Sequence, residues 1–264
     1  MKVLDYSSIP FAGGKLSFGD RIKGTLHFGF SWVAEMKSQE VIVGYLSRVL
    51  DNKFTLLRNI TILDANVPVP LILIGPHGVT VMYNSAIKGI YRAKGETWDV
   101  MDNRTRRFEP VQPNLVMRTT LMSRAVRTFL SRIGFAVEPE GVLALTNISA
   151  HVDTLRPAVR VLLVDALERF GARLMQAQPI YKIEEVRAIV NAITTSFEAE
   201  DEVEKDVAST PVVSQPTESK LDKALDPIQK KMNFKRRQWL LLGSIVAAEV
   251  IILLIFLIVI MLTS

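Results

Sequence analysis

The chain has 264 residues, 22% of them charged and 48% hydrophobic, and a formal net charge of +5. It contains no cysteine, which excludes disulfides and thiolate metal sites. Setting aside a polar stretch and an apolar tail at its C-terminal end leaves about 195 residues, which suits one α/β domain or two small ones.

The first twenty residues, MKVLDYSSIPFAGGKLSFGD, lack a continuous apolar stretch, so no signal peptide is expected. Residues 1–27 read as an N-terminal extension. Between 28 and 50, Trp32, Val33, Met36, Val41, Tyr45, Leu46 and Val49 recur at three- and four-residue spacing, which predicts a helix. The period then changes. FTLLRNITIL (Phe54–Leu63), LILI (Leu71–Ile74) and VTVMY (Val79–Tyr83) are β-rich, and Gly75-Pro76-His77-Gly78 is a turn between the last two. Ile90–Arg92 and Trp98–Met101 form a further strand pair.

Leu115–Ile133 reads as a helix. Its apolar face carries Leu115, Leu121, Met122, Val126, Phe129, Leu130 and Ile133, with Arg118, Arg124, Arg127 and Arg132 mostly on the other side. Val142–Leu145 and Val159–Val164 are short apolar runs of the kind buried strands carry. A helix near Ala166–Met175 and an amphipathic helix from Tyr181 to about Phe197 complete a body spanning residues 28–197. The order indicates an α/β protein with a mixed sheet flanked by helices. Residues 198–238 read as a charged, flexible linker.

Trp239–Leu262, WLLLGSIVAAEVIILLIFLIVIML, is apolar apart from Glu249. It is long enough to cross a hydrocarbon core of about 30 Å as one helix. Lys230, Lys231, Lys235, Arg236 and Arg237 precede it and predict a cytoplasmic body, by the rule that positive flanks stay inside. Membrane lipid is thus an expected partner. Glu249, with the small residues Gly243, Ser244, Ala247 and Ala248 nearby, marks a place where the helix would contact another protein. The Asn-x-Ser/Thr triplets at Asn59, Asn103 and Asn147 are chance matches in a cytoplasmic body.

Motifs for chemistry are sparse. Gly13-Gly14-Lys15 lacks the spacing of a phosphate loop, and Gly75–Gly78 is not a dinucleotide fingerprint. His27, His77 and His151 have no metal-ligand spacing. No cofactor and no metal site are expected. Arg104, Arg106 and Arg107, with Arg124 and Arg127 on the following helix, form a candidate phosphate-contacting set, so nucleic acid is a possible partner.

LILIGPHGVTVMYNSAIKG (Leu71–Gly89) and EGVLALTNISAHVD (Glu140–Asp153), with a helix between them, resemble the nuclease-related domain called NERD. The resemblance runs from about Glu40 to Met175. It implies a restriction-endonuclease-like core, with an acidic residue before the first strand of the Gly-Pro turn and Glu-x-Lys at the end of the second. Those carboxylates would hold a divalent metal that polarises a phosphate and activates water. This chain departs from the pattern, with Pro70 at the acidic position, Tyr83 at the Glu and Ser85 at the Lys. The resemblance therefore implies a domain without the nuclease chemistry, acting as a binding or recruitment module. Two alternatives are a metal-dependent nuclease with ligands relocated to residues such as Asp64, Glu96 and Asp99, and a structural subunit of a membrane assembly.

Overall fold

Apolar side chains on both sides of one β-meander organise the protein. The computed structural model describes residues 1–7, 32–62 and 66–209, with side chains to Ser196 in the last helix. The chain divides into two units, 1–209 and 210–264. The second lies outside the described residues, as do the Trp239–Leu262 segment and Glu249. Among the described residues, no helix is long and apolar enough to cross a membrane.

The first unit is a mixed α/β body. In chain order it comprises β1 (Lys2–Asp5), α1 (Trp32–Val49), β2 (Thr55–Ile62), β3 (Val67–Gly75), β4 (Gly78–Ser85), β5 (Gly89–Lys94), β6 (Thr97–Met101) and β7 (Phe108–Pro110). Then come α2 (Leu115–Arg132), β8 (Glu140–Leu145), β9 (Ala150–Leu155), β10 (Arg160–Leu163), a 3-10 turn (Val164–Ala166), α3 (Leu167–Gln176) and α4 (Ile183–Ser209). The main sheet runs β1-β2-β3-β4-β8-β10. β2, β3 and β4 are antiparallel, whereas β1, β8 and β10 join parallel to their neighbours. A smaller sheet has the order β7-β6-β5-β9.

Two corrections concern boundaries. Residues 1–27 are not wholly an extension, because Lys2–Asp5 pairs with Thr55–Arg58 as an edge strand. The last helix does not stop near Phe197 but continues to Ser209, well into the expected linker. Strands β7 and β9 are further additions to the expected set.

Helices cover both faces of the main sheet. α1 and α3 pack together on one face, where Ile42, Leu46, Leu56, Leu71, Leu73, Met82, Val142, Ala144 and Phe170 meet. α2 and α4 cover the other, with Leu57, Ile72, Ile74, Val81, Leu143, Val126, Phe129, Ile189 and Ile193. Burial of a large aliphatic or aromatic side chain contributes about 1.5–3 kcal/mol, so these layers dominate the stability.

α2 is defined at both ends. The Asn114 side chain accepts from Met117 N–H at 2.9 Å, an N-cap. Gly134, at φ 90°, allows its own N–H to reach Ser131 C=O and Phe135 N–H to reach Leu130 C=O, which satisfies the last carbonyls.

The Gly75–Gly78 turn does more than join β3 to β4. Pro76 C=O accepts from Ile180 N–H at 2.7 Å and Tyr181 N–H at 2.9 Å. His77 Nδ1 lies 3.1 Å from Gln178 C=O, which can only accept, so Nδ1 carries the proton. The turn thus fastens the segment joining α3 to α4. Gly75 is required for space, because a Cβ there would run into the Phe54 ring.

Candidate functional site

The pairing Leu71–Met82 and Ile72–Val81 sets the register of β3 against β4. In that register Pro70 falls opposite Tyr83, with Ser85 further along β4. The two strands thus bring the positions expected to carry the acidic pair side by side. Neither position holds a carboxylate.

Pro70 also marks an irregularity. It has no N–H to give to the ladder, and Asn59, opposite it on β2, has φ 55°. Leu57 on β2 and Ile72 on β3 face α2 and α4. Simple alternation from them would turn Ile60, Ile62 and Val69 to the other face, yet all three join the same cluster. Both strands change side at the Asn59–Pro70 step. The pairing is kept because each strand shifts together with the other.

Tyr83 is 6% exposed and Ser85 7% exposed. Arg118, on α2, donates from Nη1 to the Tyr83 hydroxyl at 3.0 Å, and its guanidinium carbon lies 5.5 Å from the centre of the Tyr83 ring. A charge-assisted hydrogen bond and a cation–π contact therefore hold Arg118 against the end of Tyr83. Thr146 N–H donates to Ser85 C=O at 3.0 Å and its hydroxyl to Ser38 Oγ at 2.8 Å, and the Asn147 side chain donates to Ala86 C=O. The Thr-Asn pair staples the break between the two sheets.

Relocated ligands do not assemble among the described residues. Glu96 is held by Arg124 at 3.3 Å, and its C=O accepts from Asn114. Asp99 stands on β6, and Asp64 lies outside the described residues. Among the described residues, no three His, Cys, Asp or Glu side chains are placed to hold a metal. His77 belongs to the turn contact, His151 is exposed on β9, and His27 lies outside the described residues.

The arginine set divides. Arg124 and Arg127 are on α2 and are occupied by Glu96 and by Glu138 at 3.0 Å. Arg104, Arg106 and Arg107 sit in the turn between β6 and β7, are exposed, and make no ion pair among the described residues. Asp102 organises that turn, since its Oδ1 accepts from Arg104 N–H at 2.6 Å and Thr105 N–H at 2.9 Å. The backbone donors of Thr105 and Arg104 hold its carboxyl below the ordinary value.

One polar cluster escaped the sequence reading. Arg58, 5% exposed on β2, donates from Nη1 to Glu40 Oε1 at 2.7 Å and from Nε and Nη2 to Gln39 Oε1 at 3.3 and 3.2 Å. Asp5 lies 3.5 Å away, and Gln39 donates to Asn59 Oδ1 at 2.7 Å. The cluster ties β1, β2 and the middle of α1 together. Its signal was an arginine inside an apolar strand run, which requires a partner once buried.

Comparison with protein-family models, with characterised proteins and with solved structures finds no match to this chain.

Proposed function

We propose that the protein is a membrane-tethered binding or recruitment module, built on a nuclease-related domain that has lost its metal site. The observation that carries this is the burial of Tyr83 and Ser85, with Arg118 bonded to the Tyr83 hydroxyl. Hard divalent cations take oxygen ligands, mainly carboxylates, and a nuclease site must admit a phosphodiester. A buried tyrosine joined to a cation offers neither.

With the smaller sheet's β5–β7 inserted after β4, the order α1, three antiparallel strands, α2, parallel β8 supports a restriction-endonuclease-like core beneath the substitutions. Fold alone does not transmit chemistry, so the lost ligands outweigh the architecture. The apolar Trp239–Leu262 segment and its basic flank support anchoring, with the body in the cytoplasm.

Purified protein mixed with DNA or RNA and magnesium or manganese should leave the nucleic acid intact. Robust cleavage lost on Asp64→Ala or Glu96→Ala would overturn the reading in favour of relocated ligands.

A further inference from the structure

The β6–β7 turn is built more rigidly than an exposed loop requires. Asp102 N–H donates to Arg107 C=O and Arg106 N–H to Asp102 C=O, both at 2.9 Å, closing the turn on itself. The Asp102 carboxylate is used inward, on the backbone of Arg104 and Thr105. At the base, Arg92 lies 3.9 Å from the centre of the Phe108 ring and is fixed by Asp153 at 2.9 Å. Arg104, Arg106 and Arg107 are left pointing their charge at solvent from a braced tip.

We propose that the Asp102–Arg107 turn is an arginine finger that docks on the phosphate groups of an anionic membrane surface. This rests on the membrane-anchored reading above. Guanidinium forks match phosphate oxygens in pairs, and a braced turn loses little entropy on docking. Three arginines within four residues, on the tip of a hairpin, suit a flat layer of phosphates. A single-stranded nucleic acid would call for aromatic faces beside them, but Phe108 is already covered by Arg92 and Trp98 is buried. An anchored body also meets headgroups at high local concentration.

The test uses the full chain in lipid nanodiscs of phosphatidylcholine alone, or of phosphatidylcholine with phosphatidylglycerol. Arginines are modified with a dicarbonyl reagent and the rates at each residue are read by mass spectrometry. Arg104, Arg106 and Arg107 should each react at least about fivefold more slowly in the anionic discs, the factor that about 1 kcal/mol for a single basic residue gives. Arg169, 72% exposed on α3, serves as the control and should be unchanged. Equal rates in the two discs would overturn the proposal. So would slowing that appears in neutral discs only when DNA or RNA is added, which would assign the finger to nucleic acid. Failure of the chain to travel with either disc would instead overturn the anchoring on which the proposal rests.

Discussion

Arg118 Nη1 stands 3.0 Å from the Tyr83 hydroxyl oxygen, at the β4 position where the nuclease-related pattern requires a glutamate. The contact makes Tyr83 a piece of interior packing. Tyr83→Phe removes the acceptor and should lower stability by about 1 kcal/mol. For a body of this size that is a fall in melting temperature of about 2–4 °C. A double-mutant cycle with Arg118→Met should return most of that energy as coupling. Additive effects would show that the hydroxyl and the guanidinium act separately.

Arg58 is nearly buried, whereas Glu40 and Asp5 each keep 31% of their side-chain surface exposed. Arg58→Met leaves Gln39 Oε1 without its guanidinium donor and both carboxylates without their cation. The cost should be about 3 kcal/mol, near the lower end for breaking a buried pair because the carboxylates remain partly solvated. Glu40→Gln should cost about 1 kcal/mol, since a neutral acceptor still reaches Nη1. Urea denaturation of the variants measures both.

Gly75→Ala places a methyl group against the Phe54 ring. Overpacking of this kind costs about 1–3 kcal/mol. Phe54→Leu in the same chain should recover part of it, because the ring is the obstacle. A double variant no more stable than Gly75→Ala alone would locate the strain elsewhere.

The Asp102 carboxyl titrates below its ordinary 3.8, first because of the Thr105 N–H bond and then because of that from Arg104. A lowered folded value means the ionised carboxylate favours the closed turn. That preference is fully present above the ordinary value and is lost as pH falls through the lower folded one. The amide proton shifts of Thr105 and Arg104 should titrate together with a midpoint below 3.8, and Asp102→Asn should abolish the transition.

Much of the architecture follows from periodicity. The alternation and β-branching of Phe54–Tyr83 predict the meander, and the apolar face of Leu115–Ile133 predicts α2. β1, β7 and β9 are harder because each is short and owes its existence to a partner strand distant in sequence, as Lys2–Asp5 does to Thr55–Arg58. The extension of α4 to Ser209 was missed for a different reason. Residues 197–209 carry strong helix formers, Glu, Ala and Lys, without a continuing apolar stripe, and periodicity reads only the stripe.

Pro70 and Tyr83 lie opposite one another because the antiparallel hairpin around Gly75–Gly78 sets which residues of its two strands face each other. Arg118 was not found. It is 35 positions from Tyr83 and was placed on the polar side of its helix. How a long side chain bends around a helix edge depends on how α2 lies on β4, which local pattern does not encode. Arg104, Arg106 and Arg107 share one turn, whereas Arg124 and Arg127 stand on α2 and are paired with Glu96 and Glu138, carboxylates whose approach local sequence does not encode.

Among the described residues, no group of carboxylates and histidines is placed to hold a divalent metal. Thermal melting of the purified protein against rising manganese tests this without knowledge of any nucleic-acid substrate. The melting temperature should not change. A rise of about 5–10 °C at saturating manganese, the effect of a ligand at roughly a hundred times its dissociation constant on a body of this size, would contradict it. The contradiction would be complete if Asp64→Ala or Glu96→Ala removed the rise.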